Sequence, residues 1–294
     1  MPRLTLLRPC FQGLSAAAAA LSFTLSSPGL AAQQPVGTQA TTPSVSTSLS
    51  YADLADLADK SKIVVRAEVK KASRLKPEQG GIAPSSSARF YIEAQTTALL
   101  FGQSVGESVK YLADVKLTAD GKAPKLRKAQ VLLFANPVPS KPDTLQLVAP
   151  DAQVMAGPEL DSRVRALLTE MVATDAPPRV TGIREAIHVP GNLAGEGETQ
   201  IFLSTERGDP VSISVVHRPE VPAKWGVSLS EIVDQAATAP LRDTLTWYRL
   251  ACFLPAALPR DAIVTGTANE RLRASEDYRL VMAQLGPCGR TRAN

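Results

Sequence analysis

The sequence predicts a β-rich α+β protein, a small antiparallel barrel followed by a mixed α+β domain, and three observations carry that expectation. Short runs of alternating apolar and polar residues recur between residues 62 and 148 with turn-forming residues between them, as in the strands of a small barrel. Helical apolar spacing appears at Leu160 to Met171 and again at Leu272 to Leu285, with further strand-like runs between the two. Prolines at 137, 139, 142, 150 and 158 punctuate the chain and place a domain boundary near residue 150.

The N-terminus predicts an address. Met1 to Arg8 is short and carries Arg3 and Arg8; an apolar core, Leu14 to Leu25, follows; Ser26-Ser27-Pro28 interrupts any helix. Small residues in Gly29-Leu30-Ala31 and Leu30-Ala31-Ala32 offer cleavage sites before Gln33, so residues 1–32 have the layout of a secretory signal whose core is too short to act as an anchor. Residues 33–49, rich in Gln, Thr, Ser and Pro, read as a flexible leader. The expected location is periplasmic or extracellular, and the protein is not expected to be integral to a membrane. Cys10 would leave with the signal. Cys252 and Cys288 then remain, and in an oxidising compartment the expectation is one intramolecular disulfide, the alternative being two separately buried thiols.

Between residues 50 and 150 the elements follow one another closely. Ser50 and Asp53 form a capping box, and Leu54, Leu57 and Ala58 recur at helical spacing to about Asp59. Asp53, Asp56 and Asp59 recur every three residues; near a helix N-terminus such a row complements the dipole, and no chemistry is assigned to it. In Lys62 to Lys70, Val65, Ala67 and Val69 alternate with Arg66, Glu68 and Lys70, a strand with one face in water. A loop at 74–87 leads to strands at 89–100 and 107–115, joined through Phe101-Gly102-Gln103. A polar connection around Asp120-Gly121 precedes the wholly apolar strand Gln130 to Ala135, and 145–148 completes the set.

A helix reading Asp-Leu-Ala, a basic-edged Val-Val-x-Ala-x-Val strand, a strand ending in Leu-Leu-x-Gly and a late Val-Leu-Leu-Phe strand together resemble the OB-type barrels of bacterial secreted proteins, similar in plan to netrin or tissue-inhibitor modules. The resemblance implies an OB-like barrel over residues 50–148. The cysteines that staple netrin-type modules are missing here, and with them the ground for carrying over an inhibitory role.

The second domain, 151–294, opens on the helix through Leu160, Val164, Leu167, Leu168 and Met171, with Asp161 or Ser162 as its cap, ended by Pro177-Pro178. Strands are expected at 183–189, 199–204 and 211–216, a short helix after Ser228-Leu229-Ser230-Glu231, a β-branched and aromatic strand at 244–254, and a helix at 269–285 stopped by Gly286-Pro287.

No nucleophile elbow, metalloprotease helix, phosphate-binding glycine loop or Cys-x-x-Cys pair occurs, so no catalytic residue, metal site or cofactor is assigned. His188 and His217 are the two histidines, each at a strand end. Beside Glu196 or Glu198 they would make half a metal site, and isolated histidines at strand ends more often cap hydrogen bonds. The sharpest surface feature is the basic run Lys110, Lys116, Lys122, Lys125, Arg127 and Lys128. Residues 33–150 hold fifteen Lys and Arg against ten Asp and Glu, whereas 151–294 hold fifteen against eighteen. Tyr111 alone stands beside the run as a stacking aromatic, which argues against nucleic acid; an anionic glycan, a lipid head group or an envelope protein is the partner class left. The expected function is therefore that of a secreted or periplasmic non-enzymatic binding protein of the cell envelope, the alternative being an extracytoplasmic hydrolase with a dispersed active site.

Overall fold

Ser50 starts the first helix, α1 (Tyr51–Lys60), as its side chain accepts from the Asp53 amide while the Asp53 carboxylate accepts from the Ser50 amide, both at 3.1 Å. The structure is a computed structural model, which describes residues 49–81, 83–230, 237–263 and 266–292. The secretory signal expected over 1–32 and all but the last residue of the leader expected over 33–49 lie outside the described residues, as does most of the short helix expected after Ser228.

Six strands follow: β1 (Ile63–Arg74), β2 (Ser87–Gly102), β3 (Ser108–Lys116), β4 (Gln130–Val138), β5 (Lys141–Leu147) and β6 (Gln153–Met155). They are ordered β1-β2-β3-β5-β4, and β1 pairs again with β4 to close a five-stranded barrel, while β6 extends the edge of β4 beside β5. The barrel is mixed, not purely antiparallel, because β3 and β5 run parallel at Lys110 and Thr144. The reason is arithmetic: strand direction cannot alternate around a closed ring of odd number, so at least one neighbouring pair must be parallel. The barrel is compatible with an OB-like plan.

Side chains from Val65, Ala67 and Val69 of β1, Ile92 of β2, Val109 and Tyr111 of β3 and Leu133 of β4 are among those removed from solvent in its core. Val131 to Ala135 are all buried, which is how a wholly apolar strand reads when both of its faces are covered. Each large apolar side chain so buried contributes about 1.5 to 3 kcal/mol relative to its exposed state.

Helix α3 (Pro158–Val172) begins at Gly157 rather than at Asp161 or Ser162; Pro158 takes its first position, where a missing N–H leaves nothing unsatisfied. The loop after β1 contains a one-turn helix, α2 (Pro77–Gly80). The second sheet is an antiparallel meander of β7 (Val180–Pro190), β8 (Gly197–Thr205), β9 (Ser212–Arg218) and β10 (Val221–Ser228), in the order β10-β9-β8-β7. β10 has no counterpart in the sequence reading. Its interior Pro222, Lys224 and Gly226 obscure the alternation around buried Trp225.

The expected strand at 244–254 is instead a helix, α4 (Leu245–Ala251), with Thr244 accepting from the Trp247 amide as its cap. Leu245, Trp247, Tyr248, Arg249, Leu250 and Ala251 are all buried, so the segment shows no amphipathic period, and its aromatic composition misled the reading. The last helix, α5 (Ala268–Leu285), lies against β7 and β8 and is capped by Thr267. Both tryptophans report on its final turn: Trp225 Nε1 donates to Gln284 Oε1 at 2.7 Å and Trp247 Nε1 to the Leu285 carbonyl at 2.8 Å. Among the described residues no helix is long and apolar enough to cross a membrane.

Candidate functional site

The register of the second sheet brings the two histidines to one place. His188 on β7 pairs with Thr199 on β8, and Gly197, two residues earlier on β8, pairs with His217 on β9. Side chains two apart in a strand share a face, so His188, Thr199 and His217 all stand on the side that α5 covers. Gly197 makes this possible: a Cβ there would lie 2.9 Å from Cε1 of His188. Asp277 of α5 descends between the imidazoles. His217 Nε2 lies 2.7 Å from Asp277 Oδ1, the Thr199 hydroxyl meets Asp277 Oδ2, and His188 Nδ1 is 2.8 Å from Thr199 Oγ1 and 3.9 Å from Asp277 Oδ2. The side chains are 3% (Asp277), 9% (His188) and 21% (His217) exposed, so the most exposed edge of the cluster is at His217.

Proton positions follow from what each group can do. An ionised carboxylate only accepts, so the single Thr199 proton goes to Asp277 and the Thr199 oxygen accepts from His188 Nδ1–H; His217 donates from Nε2. This leaves His188 Nε2 and His217 Nδ1 as the nitrogens that can take up a proton. Burial holds His188 below the usual histidine value; the Asp277 carboxylate opposes that shift, and His217 and Arg273 reinforce it. Thr199 is fully buried, so its hydroxyl is closed to any substrate. Glu196 and Glu198 are elsewhere: Glu196 accepts from the Leu193 amide and Glu198 from Gln200. Among the described residues no group of three or more His, Cys, Asp or Glu is arranged to hold a metal ion.

The row Asp53, Asp56 and Asp59 does more than complement a dipole. One stripe of α1 presents the three carboxylates to partners far along the chain. Asp53 accepts from the amides of Thr291 and Arg292 and from the Thr291 hydroxyl; Asp56 holds the Arg290 guanidinium with both oxygens, at 2.5 and 2.9 Å, and accepts from the Tyr248 hydroxyl at 2.6 Å; Asp59 takes both terminal nitrogens of buried Arg249. Cys252, at the end of α4, is bonded to Cys288, and the Arg290 guanidinium also donates to the Cys252 carbonyl at 3.3 Å. Residues 286–292 thus form a strap over α1. Sequence spacing showed that the three aspartates share a stripe; nothing local could show partners some 190 to 239 residues away.

The basic residues singled out in the sequence are distributed over β3 and the connection to β4. Lys110 pairs with Asp143 at 2.7 Å and Lys122 with Asp120 at 3.2 Å. Lys116, Lys125, Arg127 and Lys128 are exposed and, among the described residues, have no carboxylate within ion-pair distance. The connection is held in shape by buried Leu126, by the Lys128 amide donating to the Val69 carbonyl at 2.7 Å, and by the Thr118 hydroxyl donating to the Lys122 carbonyl at 2.8 Å.

Two open clefts are among those on the surface of the described residues. One of about 430 Å³, lined by Ile63, Val105, Pro137, Pro139, Pro142 and Leu145 among others, sits at one end of the barrel. The other, about 330 Å³, lies where Arg249 and Asp59 approach Arg179, Pro178 and the β8–β9 turn. Neither contains a histidine or cysteine. Compared with known proteins, this chain matches no family model and no curated sequence.

Proposed function

We propose that the protein is a non-enzymatic binding protein working outside the cytoplasm, and that it offers the connection between β3 and β4 to an anionic component of the cell envelope, a polyanionic glycan or an acidic lipid head group. One observation carries this reading: at the end of β3 and along the pinned connection after it, Lys116, Lys125, Arg127 and Lys128 are exposed and, among the described residues, form no ion pair with a carboxylate. Cations already held in place bind an anion with less ordering entropy to overcome. The Cys252–Cys288 bond is compatible with an extracytoplasmic site of action.

The test uses residues 33–294 with the disulfide intact, titrated separately with a sulfated polysaccharide and with vesicles containing an acidic phospholipid. Binding to one of the two should weaken steeply from low salt to about 0.15 M ionic strength, where the screening length is about 8 Å. Replacing Lys122, Lys125, Arg127 and Lys128 by serine should weaken it further while leaving stability within about 0.5 kcal/mol. The two arms separate a glycan from a lipid partner. Affinity indifferent to both salt and substitution would overturn the proposal.

A further inference from the structure

We propose that His188, Asp277 and His217 form an acid-sensitive clasp, which fastens α5 to the second sheet at neutral pH and releases it when both imidazoles carry a proton. The chain has two histidines, and both converge on one buried carboxylate from two different strands. A single carboxylate can offset one imidazolium, and a second is left as uncompensated charge in a place nearly closed to water.

The charged groups around the clasp make the second proton costly. From α5, Arg273 adds positive potential at His188 and Glu270 opposes it; β8 contributes the neutral Thr199, and β9 contributes His217. The 3-10 turn packed on β7 places Arg260 and Asp261 in solvent, where their opposite charges are screened. The added protons sit on His188 Nε2 and His217 Nδ1, so the bonds through Thr199 to Asp277 keep their order and the cost of protonation is the second positive charge beside one carboxylate.

Release is confined to α5 and the sheet. Beyond α5 the chain is held by the Cys252–Cys288 bond and by the strap on α1, whose Asp53 carboxylate stays ionised to lower pH: burial works against that, and hydrogen bonds from Thr291, Arg292 and Ser50 outweigh it. Mild acid therefore opens one contact and leaves the other shut. Because His188 binds its proton less readily in the folded state than free in solution, the unfolded or open form takes up the proton first. The contact is intact above the free value of about 6.5 and weakens as pH falls below it, the open population rising about tenfold for each pH unit that separates the two values.

Trp225 makes the event visible, since it sits on β10 of the sheet and bonds to the last turn of α5 across the contact that opens, while Trp247 of α4 stays beside the disulfide. In the full chain with its disulfide, tryptophan emission should shift to the red below about pH 6.5, in step with protonation of His188 followed by its imidazole NMR signal. In His188→Gln, which keeps a donor for Thr199 and has no site for a proton, the emission change should disappear or move by more than about one pH unit. His217→Gln, leaving one imidazole for one carboxylate, should move it to lower pH. If the His188→Gln protein does not fold, the wild-type titrations decide alone. Emission that stays flat while His188 takes its proton, or an unchanged transition in His188→Gln, would overturn the clasp.

Discussion

Thr291 meets Asp53 twice, donating its backbone N–H at 3.0 Å and its hydroxyl at 2.5 Å, although 238 residues separate the two in sequence. The same carboxylate also accepts from the Ser50 amide, which starts α1, and from the Arg292 amide. A single buried side chain therefore starts the first helix and holds the strap formed by residues 286–292.

Replacing Asp53 by alanine should destabilise the protein by about 2 to 4 kcal/mol, the loss of a helix cap together with buried amides left unpaired. The folded-state pKa of this carboxyl is lowered, so its contribution is complete above about pH 4 and is lost as pH falls further. Urea unfolding of wild type and variant should give a gap that is wide at neutral pH and narrows toward pH 3.

Removing the staple should be as severe. Cys252 and Cys288 are 36 residues apart, and closing a loop of that length is worth about 4 kcal/mol in the chain-entropy model. Guanidinium unfolding of the Cys252→Ser, Cys288→Ser double variant should show a loss of that order, and full stability retained without the bond would refute this accounting.

Arg249→Met should cost about 3 to 5 kcal/mol, because it leaves the Asp59 carboxylate in a largely buried place without its main partner. Adding Asp59→Leu should restore part of the loss, giving a coupling of roughly 2 kcal/mol in a double-mutant cycle. Strict additivity of the two changes would show that the pair is not coupled.

Gly102 closes β2 against the start of β1 with φ +94°, and a Cβ there would lie 2.0 Å from the Lys62 carbonyl oxygen. Gly102→Ala should therefore destabilise by about 3 kcal/mol or more, combining a disfavoured backbone conformation with a clash against rigid main chain. A thermal melt within a degree of wild type would mean that the β1–β2 contact yields without penalty.

Local patterning made much of the barrel legible. The alternation of Val65, Ala67 and Val69 gave β1, the apolar run Val131 to Ala135 gave β4, and the Ser50 capping box gave α1, since each depends on neighbours within a few residues. The parallel β3–β5 contact is a property of closure and leaves no trace in either strand. α4 failed for the opposite reason: buried on all sides, it lost the period by which helices are recognised, and only the Thr244 cap before Trp247 could have signalled it. At the candidate site His188 and His217 were seen at strand ends, but Asp277 sits in a helix of ordinary composition, 60 residues beyond His217, and its burial is fixed by packing alone.

The strap also sets an order of events. Asp53 leaves the ribosome early, and its partner Thr291 follows 238 residues later, an interval of roughly 12 to 48 s at about 5 to 20 residues per second. Until then Asp59 can already meet Arg249 and Asp56 can meet Tyr248, while Asp53 has only its own cap and Asp56 lacks Arg290. A chain broken off before residue 290 can form every strand of the barrel and still leave the Asp53 end of the stripe uncovered, so the protein carries in its own geometry a mark that separates finished molecules from unfinished ones.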